Sequence, residues 1–308
     1  MDKAVTGVAG METILRRRDL PSLFRAKLAT DPALQLLRSE TLATARASAL
    51  ILNTFEDIEG PILSHIRTHC PNTYAIGPLH ALLKSLLPQS AESAVNASFA
   101  SASLWKEDRS CIQWLDSQPQ KSVLYVSFGS YAVVTHSQLL EFWHGLVNSR
   151  TRFLWVGRSD LVTGTTEVGH IPEELLQATQ ERGFLVEWAP QQEVLSHSAV
   201  GGFLTHSGWN STIESMFAGV PMMCWPFFAD QQLNARFVER VWGIGLDMKD
   251  TCERGTVERM VRELMHGNVE LSKSSVDLAI LTRKSVSRGG SSHLNFERLI
   301  HDIRAMCS

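Results

Sequence analysis

From Val123 to Val241 short apolar runs alternate with stretches of helical periodicity, and this alternation constrains the fold more than any other feature of the chain. Val123–Phe128 has the length and the β-branched, aromatic make-up of a buried strand, and it stops at Gly129-Ser130. A helix is predicted from about Ser137 to Val147, and a strand at Phe153–Val156. Pro172–Glu181 reads as a helix opened by proline in its first turn. Phe184–Val186 and Gly202–Thr205 are short strands. Trp209–Ala218 is a helix stopped by Gly219, Val220–Trp225 a strand, and Asp230–Val241 a helix. Strands joined through helices build a parallel sheet with both faces covered, so the fold class is α/β.

The flanks are less regular. Ala49–Phe55 reads as a buried strand, and Glu56–Thr68 as a helix with Leu and Ile at helical spacing. Residues 80–104 are the weakest segment, and the Ser/Ala-rich second half reads as a loop or linker. Helical patterns cover Thr256–Met265 and Leu271–Arg288, and a last amphipathic helix runs from about Ser292 to Ala305. A chain of 308 residues has room for two domains. The expected division is 1–104 for an N-terminal part with its linker, 105–288 for the alternating domain, and 289–308 for a closing helix.

Several function classes are disfavoured. The net charge of −3 carries no basic footprint for nucleic acid, and Arg16-Arg17-Arg18 reads as a solvated face. The longest apolar stretch, Met216–Ala229, is broken by Pro221 and Pro226 and is too short for a membrane span. Five scattered cysteines without a CxxC pair fit buried thiols in a reducing, cytoplasmic compartment. The first ten residues do not form a signal peptide. Gly243-Ile244-Gly245 lacks the third glycine of a dinucleotide fingerprint, and neither a phosphate-binding GxxxxGK[ST] loop nor a GxSxG elbow is found. His197 and His206 have no partner at metal spacing, so no metal site is expected.

In a sheet of this kind, ligands bind beyond the carboxyl ends of the strands. Gly129-Ser130, Glu187-Trp188 and His206-Ser207-Gly208 all fall there. The third stretch opens the Trp209 helix. A helix N-terminus offers free N–H groups and the positive end of the dipole, and Asn210, Ser211 and Thr212 add side-chain donors. That set suits a diphosphate without a lysine, although helix capping uses the same residues. Glu214 lies in the first two turns; it can accept bonds from both ribose hydroxyls or stand as a surface carboxylate favoured by the dipole. Trp188, ahead of Ala189-Pro190, can stack on a flat base or fill a core. Asp230-Gln231 can bind sugar hydroxyls or cap the helix they open.

Taken together, the block Trp188–Gln231 resembles the nucleotide-sugar box of the plant-type UDP-dependent glycosyltransferases, family 1 enzymes of the GT-B fold. The resemblance extends from Arg16-Arg17-Arg18-Asp19-Leu20-Pro21 to the last helix, and is closest to members that glucosylate small lipophilic metabolites. It implies a complete C-terminal Rossmann-like domain and a partial N-terminal one. By this resemblance Trp188 stacks on uracil while the Ala189 backbone bonds its edge, and Gln191 and Glu214 hold the ribose hydroxyls. His206, Asn210 and Ser211 bind the diphosphate with help from Ser130, and Trp209, Asp230 and Gln231 bind the sugar. A glutamine at the end of the box, Gln231 here, goes with glucose as donor. UDP-glucose is then a co-substrate, no cofactor or metal is needed, and the other partner is a small hydroxylated acceptor.

One departure is large. Family members begin with a full Rossmann-like domain whose first strand leads to a catalytic histidine, later oriented by an aspartate. This sequence matches from a point well after both, so the resemblance implies an N-terminally truncated member without a catalytic residue of its own. In the intact reaction that histidine deprotonates the acceptor while the helix N-terminus stabilises departing UDP. The expectation is a chain that binds UDP-glucose and transfers little alone. The alternative is a non-catalytic protein that binds UDP-sugar or a partner.

Overall fold

The computed structural model describes residues 2–8, 11, 13–25, 30–86, 105–158, 161–163, 173, 177, 180, 182–249 and 251–306. The strands are β1 Leu50–Leu52, β2 Thr73–Ala75, β3 Val123–Ser127, β4 Val134–Thr135, β5 Arg152–Val156, β6 Val162–Thr163, β7 Gly183–Val186, β8 Val200–Thr205, β9 Met222–Cys224 and β10 Gly245–Asp247. The α-helices are α1 Pro32–Thr44, α2 Glu56–His69, α3 Leu79–Leu86, α4 Ser110–Asp116, α5 His136–Ser149 and α6 Gln191–Ser196. They continue with α7 Trp209–Ala218, α8 Gln231–Arg240, α9 Arg254–Arg262, α10 Val269–Val286 and α11 Ser291–Met306.

The main sheet is parallel throughout, in the order β10-β9-β8-β3-β5-β7. The chain moves outward from β3 through β5 to β7, then returns to place β8 on the other side of β3. β3 and β8 therefore flank the switch point, where the two connections diverge and leave a crevice above the strand ends. Side chains alternate between two packed faces. Tyr125, Leu154, Phe203 and Met222 meet residues of α4, α6, α7 and α8 on one face. Leu124, Val126, Trp155 and Met223 meet α5 and α9 on the other. All five residues of β3 are buried, as a central strand covered on both faces requires. Each large apolar side chain so buried stabilises the fold by about 1.5–3 kcal/mol.

Local chemistry sets the helix ends that matter for the crevice. Thr135 and Gln138 close a reciprocal capping box at the start of α5, with bonds of 3.2 and 2.9 Å. Gly219 ends α7 in the left-handed region at φ 75°, its N–H bonding back to Ser215 and Met216.

The strand expected at 49–55 is cut to Leu50–Leu52, because Asn53 and the following residues leave the sheet to meet α7. β2, β10, α1, α4 and α6 were not legible as separate elements. α3 occupies the start of the segment expected to be weak, and its remainder, 87–104, lies outside the described residues, as does most of the helix expected over 172–181. α9 ends at Arg262 and passes into a π-helical turn, Glu263–Gly267.

A two-stranded parallel sheet, β1-β2, belongs to the N-terminal part. α11 packs on it through Tyr74 Oη to Asp302 Oδ2 (2.5 Å), Arg298 to Thr73 O (2.8 Å) and Asn295 to Ala75 O (3.1 Å). The segment around Ile14–Asp19 lies instead on α8, where Arg236 Nε donates to Ile14 O at 2.9 Å and faces Asp19 at 3.5 Å. Among the described residues, no helix is long and apolar enough to cross a membrane.

Candidate functional site

A cavity of about 900 Å³ sits at the carboxyl edge of the main sheet, over the switch point. Three strand ends supply its walls: Ser127–Ser130 after β3, Trp188–Pro190 after β7, and His206–Ser211 after β8. Of the eleven donor-site residues expected, all but Asp230 and Gln231 line it: Ser130, Trp188, Ala189, Gln191, His206, Trp209, Asn210, Ser211 and Glu214.

Its polar centre is a network on α6 and α7. Gln191 Nε2 donates to Glu214 Oε2 at 2.7 Å and to Ser211 Oγ at 3.1 Å, while Gln191 Oε1 accepts from Tyr125 Oη at 3.3 Å. Gln192 Nε2 donates to the other carboxylate oxygen at 3.3 Å, and Gln192 Oε1 accepts from Lys84 Nζ at 3.3 Å. Burial pushes the Glu214 carboxyl above the usual range; the two glutamine amides and Lys84 oppose that push. The carboxylate is held by donors that fix its plane but leave lone pairs for a ligand.

His206 occupies a slot that two glycines make possible. A Cβ on Gly129 would come within 2.5 Å of its Cε1, and one on Gly208 within 2.4 Å of its Nε2. Gly129 also needs its freedom at φ 74°. Desolvation holds the imidazole down at about 4, partly offset by Asp230 and the Ser127 backbone, with Arg158 adding to the lowering. At neutral pH the ring is uncharged, a hydrogen-bonding group and not a cation. Beside it, α7 starts at Trp209 with Gly208 as N-cap and without a side-chain cap bond, so the first N–H groups face the cavity unoccupied by a capping oxygen.

Trp188 stacks on Trp105 with ring centres 6.0 Å apart and planes at 30°, and its carbonyl accepts from Asp108 N at 2.8 Å. The Trp209 indole N–H is taken by Asn53 O at 2.7 Å. Asn53 also reaches Asn210 Oδ1 at 3.4 Å and accepts from Leu79 N at 3.0 Å, strapping the N-terminal part onto the α7 turn. Asp230 is exposed and accepts from Asn234 Nδ2 at 3.0 Å. Gln231 is turned into its own helix start, where Oε1 accepts from the N–H groups of Phe227 (2.8 Å) and Phe228 (3.1 Å). Sequence reasoning missed Tyr125, Gln192, Asn53, Lys84 and Asn234. Asn234 bonds Ser207 O at 3.0 Å and so ties α8 to the strained turn at Ser207, φ 63°. A polar residue one helical turn into α8 was the single available signal for it.

The arrangement is a crevice with an aromatic wall, a fixed carboxylate and an open helix N-terminus. The model of the family described as UDP-glucoronosyl and UDP-glucosyl transferase matches residues 34–273. The chain belongs to this family. Among relatives of this chain is the 7-deoxyloganetic acid glucosyltransferase of Catharanthus roseus, 55% identical over 307 residues. That alignment covers 99% of this chain and 63% of the relative. A myricetin 3-O-rhamnoside 1,2-glucosyltransferase of Crocosmia x crocosmiiflora is 50% identical over 308 residues, covering 99% and 62%. Os79 from O. sativa, solved in complex with UDP, superimposes with a TM-score of 0.80 at 29% identity, covering 96% of this chain and 64% of Os79. Phytolacca americana UGT2, solved with UDP-2fluoro-glucose and pterostilbene, gives a TM-score of 0.80 at 30% identity, covering 98% and 64%. The fold is thus α/β of the GT-B type, and the chain spans a little under two thirds of the length of these transferases.

Proposed function

We propose that this chain forms the donor side of a transferase that moves glucose from UDP-glucose to a hydroxyl of a small lipophilic metabolite, with inversion at the anomeric carbon. One observation carries the reading: the Gln191–Glu214–Ser211 network lies beside the uncapped N-terminus of α7 in a single cavity. A ribose diol on Glu214 would set a 5′-diphosphate over the first N–H groups of α7, with His206 beside them and Ser130 on the loop after β3. The helix N-terminus and these neutral donors stabilise the charge that collects on departing UDP, so the reading requires neither metal nor cofactor. The names of the relatives support glucose as the sugar and a small metabolite as the acceptor. Cys70, Cys111, Cys224 and Cys252 are free thiols, which supports a reducing, cytoplasmic setting.

The acceptor hydroxyl needs a base. Among the described residues, His206 is the histidine that lines the cavity, and it is wedged between Gly129 and Gly208 and held down at about 4, which suits a phosphate contact better than proton abstraction. We assign no catalytic residue to this chain, and a missing base costs about 10²–10⁴-fold in rate. Calorimetry with UDP, UDP-glucose and UDP-galactose, paired with a mass-spectrometric assay of glucosyl transfer to a phenol or terpenol, tests both halves. Binding of UDP, with UDP-glucose preferred over UDP-galactose and little product, is the expected result. Absence of UDP binding at millimolar concentration sinks the donor site; efficient transfer by the 308 residues sinks the assignment of no base.

A further inference from the structure

The diphosphate end of the cavity poses an electrostatic problem. A diphosphate brings several negative charges, yet the charged side chains lining the cavity gather around α6. Lys84 bonds Gln192, Arg109 bonds Glu193, and Glu214 takes both glutamines. Among the described residues, the lining at Ser127–Ser130 and at His206–Ser211 carries no full positive charge, since His206 is neutral. Behind that lining, however, lies Arg158. It is only 5% exposed, two residues beyond the end of β5. An arginine so deeply placed is uncommon unless its guanidinium serves the structure around it.

The guanidinium grips the loop that follows β3. One terminal nitrogen donates to the Gly129 carbonyl, and the other donates to Ala132 O at 3.2 Å. The same loop is held nearby by Val134 N to Leu161 O at 2.8 Å. With both carbonyls turned back toward Arg158, Gly129 at φ 74° keeps its Cα against the His206 ring, and Ser130 is presented on the cavity wall. The charge also reaches the cavity, where it disfavours protonation of His206. An anion on the cavity side of His206 feels the same field with the opposite sign, an attraction strengthened by the poorly solvated setting.

We propose that Arg158 is a positioning residue for the donor diphosphate: it fixes the Gly129–Ala132 loop and supplies positive potential from behind the wall. The inference rests on the donor-site reading above, and its test separates the two. Dissociation constants for UDP and for uridine are measured on the 308-residue chain and on its R158M and R158K variants. In R158M the affinity for UDP is expected to fall about tenfold or more, the cost of losing a hydrogen-bonded charge. Uridine, which lacks phosphate, is expected to keep its affinity within about twofold of wild type on the same reasoning. R158K, which keeps the charge and can reach one carbonyl, is expected to fall between. Equal losses for UDP and uridine mark a merely structural arginine and overturn the proposal, as does an unchanged UDP affinity. Should R158M melt below the assay temperature, R158K decides alone: a larger loss for UDP than for uridine upholds the proposal, and equal or no loss overturns it. A wild-type chain that binds neither ligand overturns the donor-site reading itself, before any variant is compared.

Discussion

Removing the Glu214 carboxylate separates binding from stability, and the size of each effect follows from its contacts. In the free protein the carboxylate accepts from Gln191 (2.7 Å) and Gln192 (3.3 Å). In Glu214→Ala, Gln191 Nε2 still has Ser211 Oγ at 3.1 Å, and the poorly solvated charge is gone. The two effects oppose each other, so the melting midpoint is expected to move by no more than the equivalent of about 1 kcal/mol. Binding behaves differently. Two ribose hydroxyls donating to a carboxylate contribute roughly 1.5 kcal/mol each at the low end for charged hydrogen bonds, about 3 kcal/mol together. That corresponds to a loss of about 100-fold in UDP affinity. Glu214→Gln keeps an acceptor of the same shape without the charge and is expected to lose about tenfold. A cycle with 2′-deoxy-UDP makes the reasoning refutable. If Glu214 takes the diol, the deoxy ligand binds more weakly than UDP to wild type, and Glu214→Ala removes most of that difference. Equal losses for UDP and 2′-deoxy-UDP in Glu214→Ala, or a UDP affinity within threefold of wild type by rough calorimetric resolution, would refute the assignment.

Two further perturbations test other parts of the molecule. Gly208 has φ −61° and ψ 144°, which any residue adopts, so Gly208→Ala acts only through its methyl, placed 2.4 Å from His206 Nε2. The ring must leave its slot, and UDP affinity is expected to drop by about tenfold or more with the α-helical circular dichroism signal unchanged; unaltered affinity would show that His206 has no part in the site. Asp247 lies at the end of β10 with its carboxyl pushed up to about 6, chiefly by burial. A raised acid binds its proton more readily in the folded state, so the chain loses stability as pH rises from about 4 to about 6. Asp247→Asn keeps an acceptor for Lys249 N, at 2.8 Å in the native chain, and removes the titration. Urea unfolding is expected to show equal stability near the acid end and a gain of roughly 1–2 kcal/mol for the variant at neutral pH, after discounting for partial exposure. A constant difference across that range would remove Asp247 as its source.

Much of the site was legible because its chemistry is local. The alternation of short apolar runs with helical periodicity places Gly129-Ser130, Trp188 and His206 at strand ends and Trp209–Glu214 at a helix start, and the structure brings Gly129, Ser130, Trp188, His206, Trp209, Asn210, Ser211 and Glu214 to one cavity. Gln231 shows the limit of such reading. Its position at the head of α8 matched the box, yet its Oε1 is engaged by the Phe227 and Phe228 N–H groups, a turn whose geometry follows from the aromatic cluster of Phe128, Trp225 and Phe227 beneath it. Trp209 is similar: it was expected to bind the sugar, and it lines the cavity, but its indole N–H is taken by Asn53 O, 156 residues earlier.

By itself the sequence determined which candidate residues stand at strand ends and at a helix start and which elements hold them, because helix, strand and cap preferences act over a few neighbouring residues. The order of the strands was decided only by tertiary packing. β8 lies beside β3 and not beside β7, and that choice opens the crevice at which cavity-lining residues from three loops converge. Asn53, Lys84 and Arg158 reach the site from other elements for the same reason. Their contacts depend on how separate elements pack against one another, a condition on the whole chain that no short stretch of it can express.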